Sequence, residues 1–441
     1  MPASPVDSTI YGKLFGDAEV GALFTDSAEV RAMMLVEGAL AKVQGKLGLI
    51  PEVSGEAIHR SAMELQLDPG GLATSVAANA VPVPGLVAAF REAMQAPEHA
   101  TWLHWGATSQ DIMDTGLALR LRQALTILDD RLGVLANGLG RLADDHADLP
   151  MVARTYGQAA VVTSFGAMVA DWGLPLIRHR DRLGSIRPDI ECVSLSGAAG
   201  TLSVMGEDGP KVRAALAEAL GLADPGASWH STRDGIAALS SWLTGVTGSL
   251  AKMGEDLLIL TQSGIDEVSL GAGGGSSTMP QKSNPVGPSF LSAIARQAVG
   301  LNSVLQSAVP HRLQRDGAAW LSEWLSLPKL MILTGRSLDV ARNISVTPNT
   351  EAMARNLTAT KGMVFAEALS FELARQMTRP EAQAEVKRLV GQAKANKSGL
   401  QAEAQAAFPD IASSDLFDAK QQLGTAPDAA RHFVSTARSK K

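Results

Sequence analysis

The chain has 441 residues, 46% apolar and 19% charged, which is enough to bury a large core and too apolar to remain disordered. The balance of 39 basic against 45 acidic side chains leaves a net charge of −6, which excludes the electrostatic footprint of a nucleic-acid binder. A lone cysteine, Cys192, excludes a disulfide framework or zinc knuckle and points to a reducing compartment, hence the cytoplasm.

At roughly 150 residues per domain, the length suggests about three domains. Aromatic residues make up only 4% while Ala, Leu and Gly abound, which favours closely packed helices over a β-sandwich. The N-terminal segment lacks a basic stretch and a long apolar run, so no signal peptide is expected there. Pro51, the Pro69-Gly70-Gly71 turn and the PVPG of 82–85 then punctuate a region of shorter helices. Next comes a stripe of alternating three- and four-residue steps: Leu121, Leu125, Leu128, Leu132, Leu135, Leu139 and Leu142. A strand would show period two, so this stripe reads as a long helix packed at a shallow angle.

After Pro150 the most apolar stretch, from Gln158 to Ile177, is interrupted by Asp171, Gly173 and Pro175. It reads as a helix buried in a bundle rather than a membrane span. Pro188 opens a Ser- and Gly-rich segment through SGAAGTLS at 196–203. A second stripe follows at Ile236, Leu239, Leu243, Val246, Leu250, Met253, Leu257 and Leu260. A third comprises Leu291, Ile294, Ala298, Leu301, Leu305 and Ala308. Glycines within the stripes, Gly133, Gly138, Gly245 and Gly248, each cost about 1 kcal/mol relative to Ala unless close helix approach recovers it. Beyond residue 345 the chain is richer in Ala, Gln, Lys and Glu. Leu357–Met377 reads as one helix, and Glu381 opens a small helical region whose tail frays. The expected fold is all-α: an N-terminal helical domain over 1–110, a central long-helix bundle over 111–350 and a small helical domain over 351–441.

The most informative segment is GAGGGSSTMPQKSNPVGP, residues 271–288. Its glycines permit a lid, and the adjacent hydroxyls, ammonium and carboxamide suit an anionic, oxygen-rich ligand. A phosphate-cradling P-loop is excluded, because no strand precedes the segment and its Gly-Lys-Ser spacing is missing. No histidine pair has metal-ligand spacing and no carboxylate cluster is evident, so neither metal nor other cofactor is expected.

GSSTMPQKSNP at 275–285 resembles the signature of the fumarase/aspartase superfamily, G-S-S-x-M-P-x-K-x-N. HWGATSQDIMDT at 104–115 and ARTYGQAAVVTSFG at 153–166 resemble its other two regions, in the same order. The resemblance extends to SGAAGT at 196–201 and NLTATKG at 356–362. It implies an all-helical homotetramer on a central bundle, with active sites shared between subunits and a small polycarboxylate substrate. It also implies that Ser276 exchanges the proton at the carbon α to a carboxylate, while Lys282 and Asn284 hold the carboxylate and its dianionic intermediate. By the same match Thr108, Ser109 and Gln158 bind substrate carboxylates. His104 stands where several members carry a histidine; a structural histidine beside Trp102 and Trp105 is the alternative.

Departures from the family pattern narrow the choice. Tyr156 occupies the position of the usual acid histidine, where it either donates a hydrogen bond or fills space. Ala318, Ala319 and Trp320 stand where nucleotide-binding members carry a Ser…Arg phosphate clamp, and their apolar surface suits a flat carbon skeleton instead. GAAWLSEW at 317–324 and WHSTRD at 229–234 resemble the branch of 3-carboxy-cis,cis-muconate cycloisomerases. These make 4-carboxymuconolactone by intramolecular carboxylate addition and α-carbon proton transfer, in bacterial protocatechuate breakdown. Their substrate is a trianion at neutral pH. Arg315, Arg312, Arg233 and His230 lie in segments peculiar to this branch, and one or two of them, Arg315 above all, are expected in the site. Adenylosuccinate lyase or another fumarate-releasing lyase is the alternative activity. Ser283, at a position often basic in relatives, admits a sulfonated muconate analogue. A catalytically silent homologue is the remaining reading.

Overall fold

The computed structural model describes residues 3–271, 274–275, 279, 282–410 and 415–439. Helices dominate, as composition and stripes require. In chain order the elements used below are α1 (Asp26–Lys46), α2 (Glu52–Glu64), α3 (Ser109–Asp145), β1 (Pro150–Thr155), β2 (Gln158–Ser164), α4 (Phe165–Ile190) and α5 (Asp234–Leu260). They continue with β3 (Val268–Leu270), β4 (Gly274–Gly275), β5 (Ser283–Asn284), α6 (Val286–Ser307), α7 (Gly317–Asn343), β6 (Val346–Pro348), α8 (Thr350–Ala359) and α9 (Ala426–Ser439). Among the described residues the strands form three two-stranded antiparallel ribbons, β1–β2, β3–β6 and β4–β5. No described helix is long and apolar enough to cross a membrane.

The stripes are the buried faces of long helices. Every residue of the Ile236–Leu260 series on α5 is buried, as is every residue of the Leu291–Ala308 series running from α6 to just past its end. On α3 the stripe holds through Leu139; Leu142 is only half-buried, and neighbouring Ala143 takes the inward position. A shift of this kind is what a 3.6-residue helix does to a strict seven-residue repeat. Each buried Leu, Ile or Val contributes about 1.5–3 kcal/mol relative to exposure.

The chain forms two compact units. The first comprises Met1–Asp130, His179–Thr247 and Ile294–Ser337. Within it α1 and α2 pack so closely that a Cβ added at Gly55 would lie 2.5 Å from the Ala41 carbonyl oxygen. Their core takes in Met33, Leu40, Ile58, Leu86 and Phe90, with Val193, Leu216 and Trp320. Trp320 therefore does not present the apolar surface to a ligand that its position suggested: it is 4% exposed and stacks edge-to-face on Trp324, 4.7 Å between ring centres.

The second unit comprises Arg131–Arg178, Gly248–Ala293 and Leu338–Lys441. Two expected helices are corrected here. The stretch Gln158–Ile177 is not one helix: its first part is β2, paired with β1, and α4 starts only at Phe165. Tyr156 (φ 53°) and Gly157 (φ 75°) form the two-residue turn between the strands, and two successive left-handed residues give the twist a tight hairpin needs. Likewise Leu357–Met377 is broken. The α8 helix stops at Ala359, Lys361 and Gly362 adopt left-handed φ of 52° and 79°, and a second helix begins at Ala366. Of the stripe glycines, Gly245, in the first unit, meets a neighbour, the His179 ring at 3.1 Å, whereas Gly138 and Gly248 have nothing within 4 Å of an added Cβ. Among the described glycines of the second unit, the closest approach is at Gly173, against Phe433 of α9.

Candidate active site

The first unit gathers four of the segments singled out in the sequence, 104–115, 196–201, 229–234 and 317–324. The α3 helix starts at Ser109, so Thr108 occupies its N-cap and Asp111 its third position. The Asp111 carboxylate reaches back to the Thr108 N–H at 3.0 Å, half of a capping box. The hydroxyls of Thr108 and Ser109 have no hydrogen-bond partner among the described residues, and both side chains are half-buried. These two hydroxyls and the positive end of a 37-residue helix can cradle an anion.

His104, just upstream, takes a left-handed backbone (φ 64°) that turns its imidazole inward. There Nδ1 lies 2.6 Å from Oε1 of Glu37, a fully buried carboxylate on α1. Burial pulls the His104 pKa down, but the Glu37 charge and hydrogen bond outweigh it, and the pKa lies above the ordinary value. The imidazole is thus a hydrogen-bonded partner of Glu37 as much as a group available to a ligand.

The branch-specific cations separate into distinct roles. Arg233 is fully buried, bonded to Asp114 at 2.8 Å and to Glu323 at 2.9 Å, and stacked over Trp229. Its charge is consumed by those carboxylates. Arg312 is exposed and pairs with Asp316. His230 is buried and bonds Asp111 through Nε2 at 2.8 Å. Arg315 is exposed yet fixed: Nε donates to Gln110 Oε1 at 2.9 Å and Nη2 to the Ala198 carbonyl at 3.2 Å. Gln110 is itself buried and donates to Asp114 and to the His230 carbonyl. Arg315 is therefore a cation aimed by its neighbours beside the 196–200 loop, with guanidinium surface open to solvent.

The second unit carries the remaining candidates. Tyr156 stands at the hairpin tip with its whole side chain exposed (105%), and Gln158 follows it, also exposed. The base of the hairpin is rigid. A register shift between Val152 and Arg154 aims Arg154 at Glu267, where two parallel bonds of 2.8 and 2.9 Å form a fork. Glu267 is fully buried and also accepts from Asn356 Nδ2 at 2.9 Å, which ties the 153–157 segment to α8. From Glu267 the chain enters β3, held by β6, and then the glycine-rich segment. Gly274 pairs with Asn284 and Gly275 with Ser283, so β4 and β5 close the ends of that segment together. Lys282 sits at the closure, exposed, with its N–H bonded to the Met279 carbonyl at 3.0 Å. Ser276 lies outside the described residues.

A family model described as lyase matches residues 22–300. The chain belongs to the fumarase/aspartase lyases. A Pseudomonas aeruginosa 3-carboxy-cis,cis-muconate cycloisomerase is 39% identical over 380 residues, 85% of this chain and 83% of that protein. The crystal structure of a 3-carboxy-cis,cis-muconate lactonizing enzyme from Pseudomonas putida superposes with a TM-score of 0.91 at 34% identity, covering 98% of this chain and 99% of that one. A fumarate lyase from Mesorhizobium sp. BNC1 superposes at 0.90 with 30% identity, covering 96% and 99%.

Against this lyase fold, sequence reasoning had overlooked Glu37, Asp111, Glu267 and Asn356. Asp111 was visible in the T-x-x-D spacing of 108–111. Asn356 opens the NLTATKG segment at 356–362, whereas Glu37 and Glu267 carry no local signal, because their partners lie 67 and 113 residues away.

Proposed function

We propose that the protein is a cofactor-independent 3-carboxy-cis,cis-muconate cycloisomerase. The observation that carries this reading is the joint retention of the lyase signature, with Lys282 and Asn284 at the closed ribbon, and Tyr156 at the hairpin turn in place of an acid histidine. Relatives of that activity, aligned over most of the chain, support it. In the reaction one substrate carboxylate oxygen adds to the double bond, electron density moves into the neighbouring carboxylate, and the α carbon takes one proton. Ser276 supplies that proton and recovers it from solvent. Lys282 and Asn284 stabilise the aci-carboxylate. No amine or alcohol departs, so no second acid is required, which is the chemical reason a tyrosine suffices at 156. Thr108, Ser109, Gln158 and Arg315 hold the other carboxylates, and His104 stands with them in the site.

The same reading makes the protein a cytoplasmic homotetramer with shared sites. The bare Tyr156 tip, and the exposed apolar side chains of Val299, Val304, Leu321 and Leu325 on long helices, support it. One assay decides the reaction: loss of diene absorbance from 3-carboxymuconate, run beside fumarate release from adenylosuccinate. Lactonisation without fumarate release is expected. Fumarate release with unchanged diene absorbance would overturn the cycloisomerase reading, and turnover of a sulfonated muconate in preference to the carboxylated one would reassign its substrate.

A further inference from the structure

The Asp111 side chain is fully buried and accepts four hydrogen bonds. Its Oδ1 takes the Ser196 N–H and His230 Nε2–H, both at 2.8 Å. Its Oδ2 takes the N–H groups of Thr108 and Gly197, both at 3.0 Å. One carboxylate thus joins three segments remote in sequence: the start of α3, the 196–200 loop and the 229–234 segment. A carboxylate three residues into an anion cradle would ordinarily repel an anionic ligand. Here each oxygen is saturated by two N–H donors, so its field is spent on the scaffold. The backbone of Thr108 is pinned while its hydroxyl, and that of Ser109, stay uncommitted. Gly197, in the left-handed region (φ 71°), brings its N–H to Asp111 and leaves Ala198 to accept from Arg315.

We propose that Asp111 is a positioning residue for substrate binding. It sets the Thr108–Ser109 turn and, through the 196–198 backbone, the Arg315 guanidinium, at the spacing that two substrate carboxylates require. His230 acts through it, as the side-chain donor that holds Oδ1. This inference rests on the reading that Thr108, Ser109 and Arg315 bind substrate.

The test is steady-state kinetics with 3-carboxymuconate on the full-length enzyme and four variants. Asp111→Asn places an amide N–H against two of the four donors. It is expected to raise KM at least tenfold while kcat falls less than threefold, since the residue touches no reacting atom. Loss of folded protein alone would lower apparent kcat and leave KM unmoved, and that pattern would overturn the proposal. His230→Leu should raise KM at least threefold, and His230→Gln, which can still donate to Oδ1, should restore it. If Asp111→Asn proves insoluble, this pair decides: an unchanged KM in His230→Leu, or no rescue by Gln, overturns the positioning role. Thr108→Val separates the underlying reading. A Thr108→Val enzyme with unaltered KM shows that the turn does not bind substrate. A raised KM there with none in Asp111→Asn leaves the turn in the site and removes Asp111 from its control.

Discussion

His104 Nδ1 and Glu37 Oε1 lie 2.6 Å apart, although 67 residues separate them along the chain. The contact joins a left-handed turn to the buried face of α1, and it makes stability depend on the charge of one imidazole. The folded pKa of His104 lies above its ordinary value of about 6.5. The stabilisation is therefore fully present below about pH 6.5 and is lost as pH rises through the folded pKa. Denaturant titration of wild type and His104→Gln should show a wide gap in unfolding free energy at about pH 6 and a narrower one at about pH 9. A gap that does not change with pH would remove the ion pair from this account.

Arg154 is the counter-charge of Glu267, which is fully buried. Removing one partner of a buried pair leaves an uncompensated charge, at a cost of about 3–5 kcal/mol. Arg154→Met should lose that much stability in urea titration. Pairing it with Glu267→Gln should return part of the loss, because the neutral amide needs no counter-charge and its oxygen can still accept from Asn356. Equal stability of the single and double variants would contradict the pairing.

Gly173 on α4 faces Phe433 of α9 at a distance no side chain tolerates: an added Cβ would fall 2.0 Å from the ring. Gly173→Ala should destabilise by about 1–3 kcal/mol, the usual cost of overpacking. Phe433→Leu in the same chain should recover part of it. Thermal melting of the three proteins measures this, and a Gly173→Ala protein as stable as wild type would disprove the close approach.

Ser276→Ala tests the proton transfer. Turnover of 3-carboxymuconate should fall by about 10²–10⁴, the range for a positioned acid or base, with circular dichroism unchanged. Near-full turnover would take Ser276 out of the mechanism.

Shared sites predict complementation. Ser276→Ala alone and a Thr108→Val, Ser109→Ala double variant alone should each be weak. Unfolded, mixed and refolded together, they should regain activity, because some sites then contain all native parts. Light scattering should report a tetramer; an active monomer would refute the assembly.

The helical stripes were legible in the sequence because a helix's apolar repeat is a local property, set by 3.6 residues per turn wherever the partner helix lies. The Ile236–Leu260 series is buried along its full length for that reason. The T-x-x-D cap at 108–111 is equally local, although the sequence reading passed over it. The Gln158–Ser164 run was not: a short apolar segment fits strand and helix equally, and the turn at Tyr156-Gly157, together with the pairing to β1, decided it. Trp320 was misread as ligand surface because composition does not say which side of a helix faces the core. Which polar groups meet was decided only by tertiary structure. Glu37 with His104, Asp111 with His230, and Glu267 with Arg154 are 67, 119 and 113 residues apart. A hydrogen bond requires two atoms within about 3 Å. No local pattern encodes that distance; the packing of the helices sets it, by bringing remote segments together and burying their charges against one another.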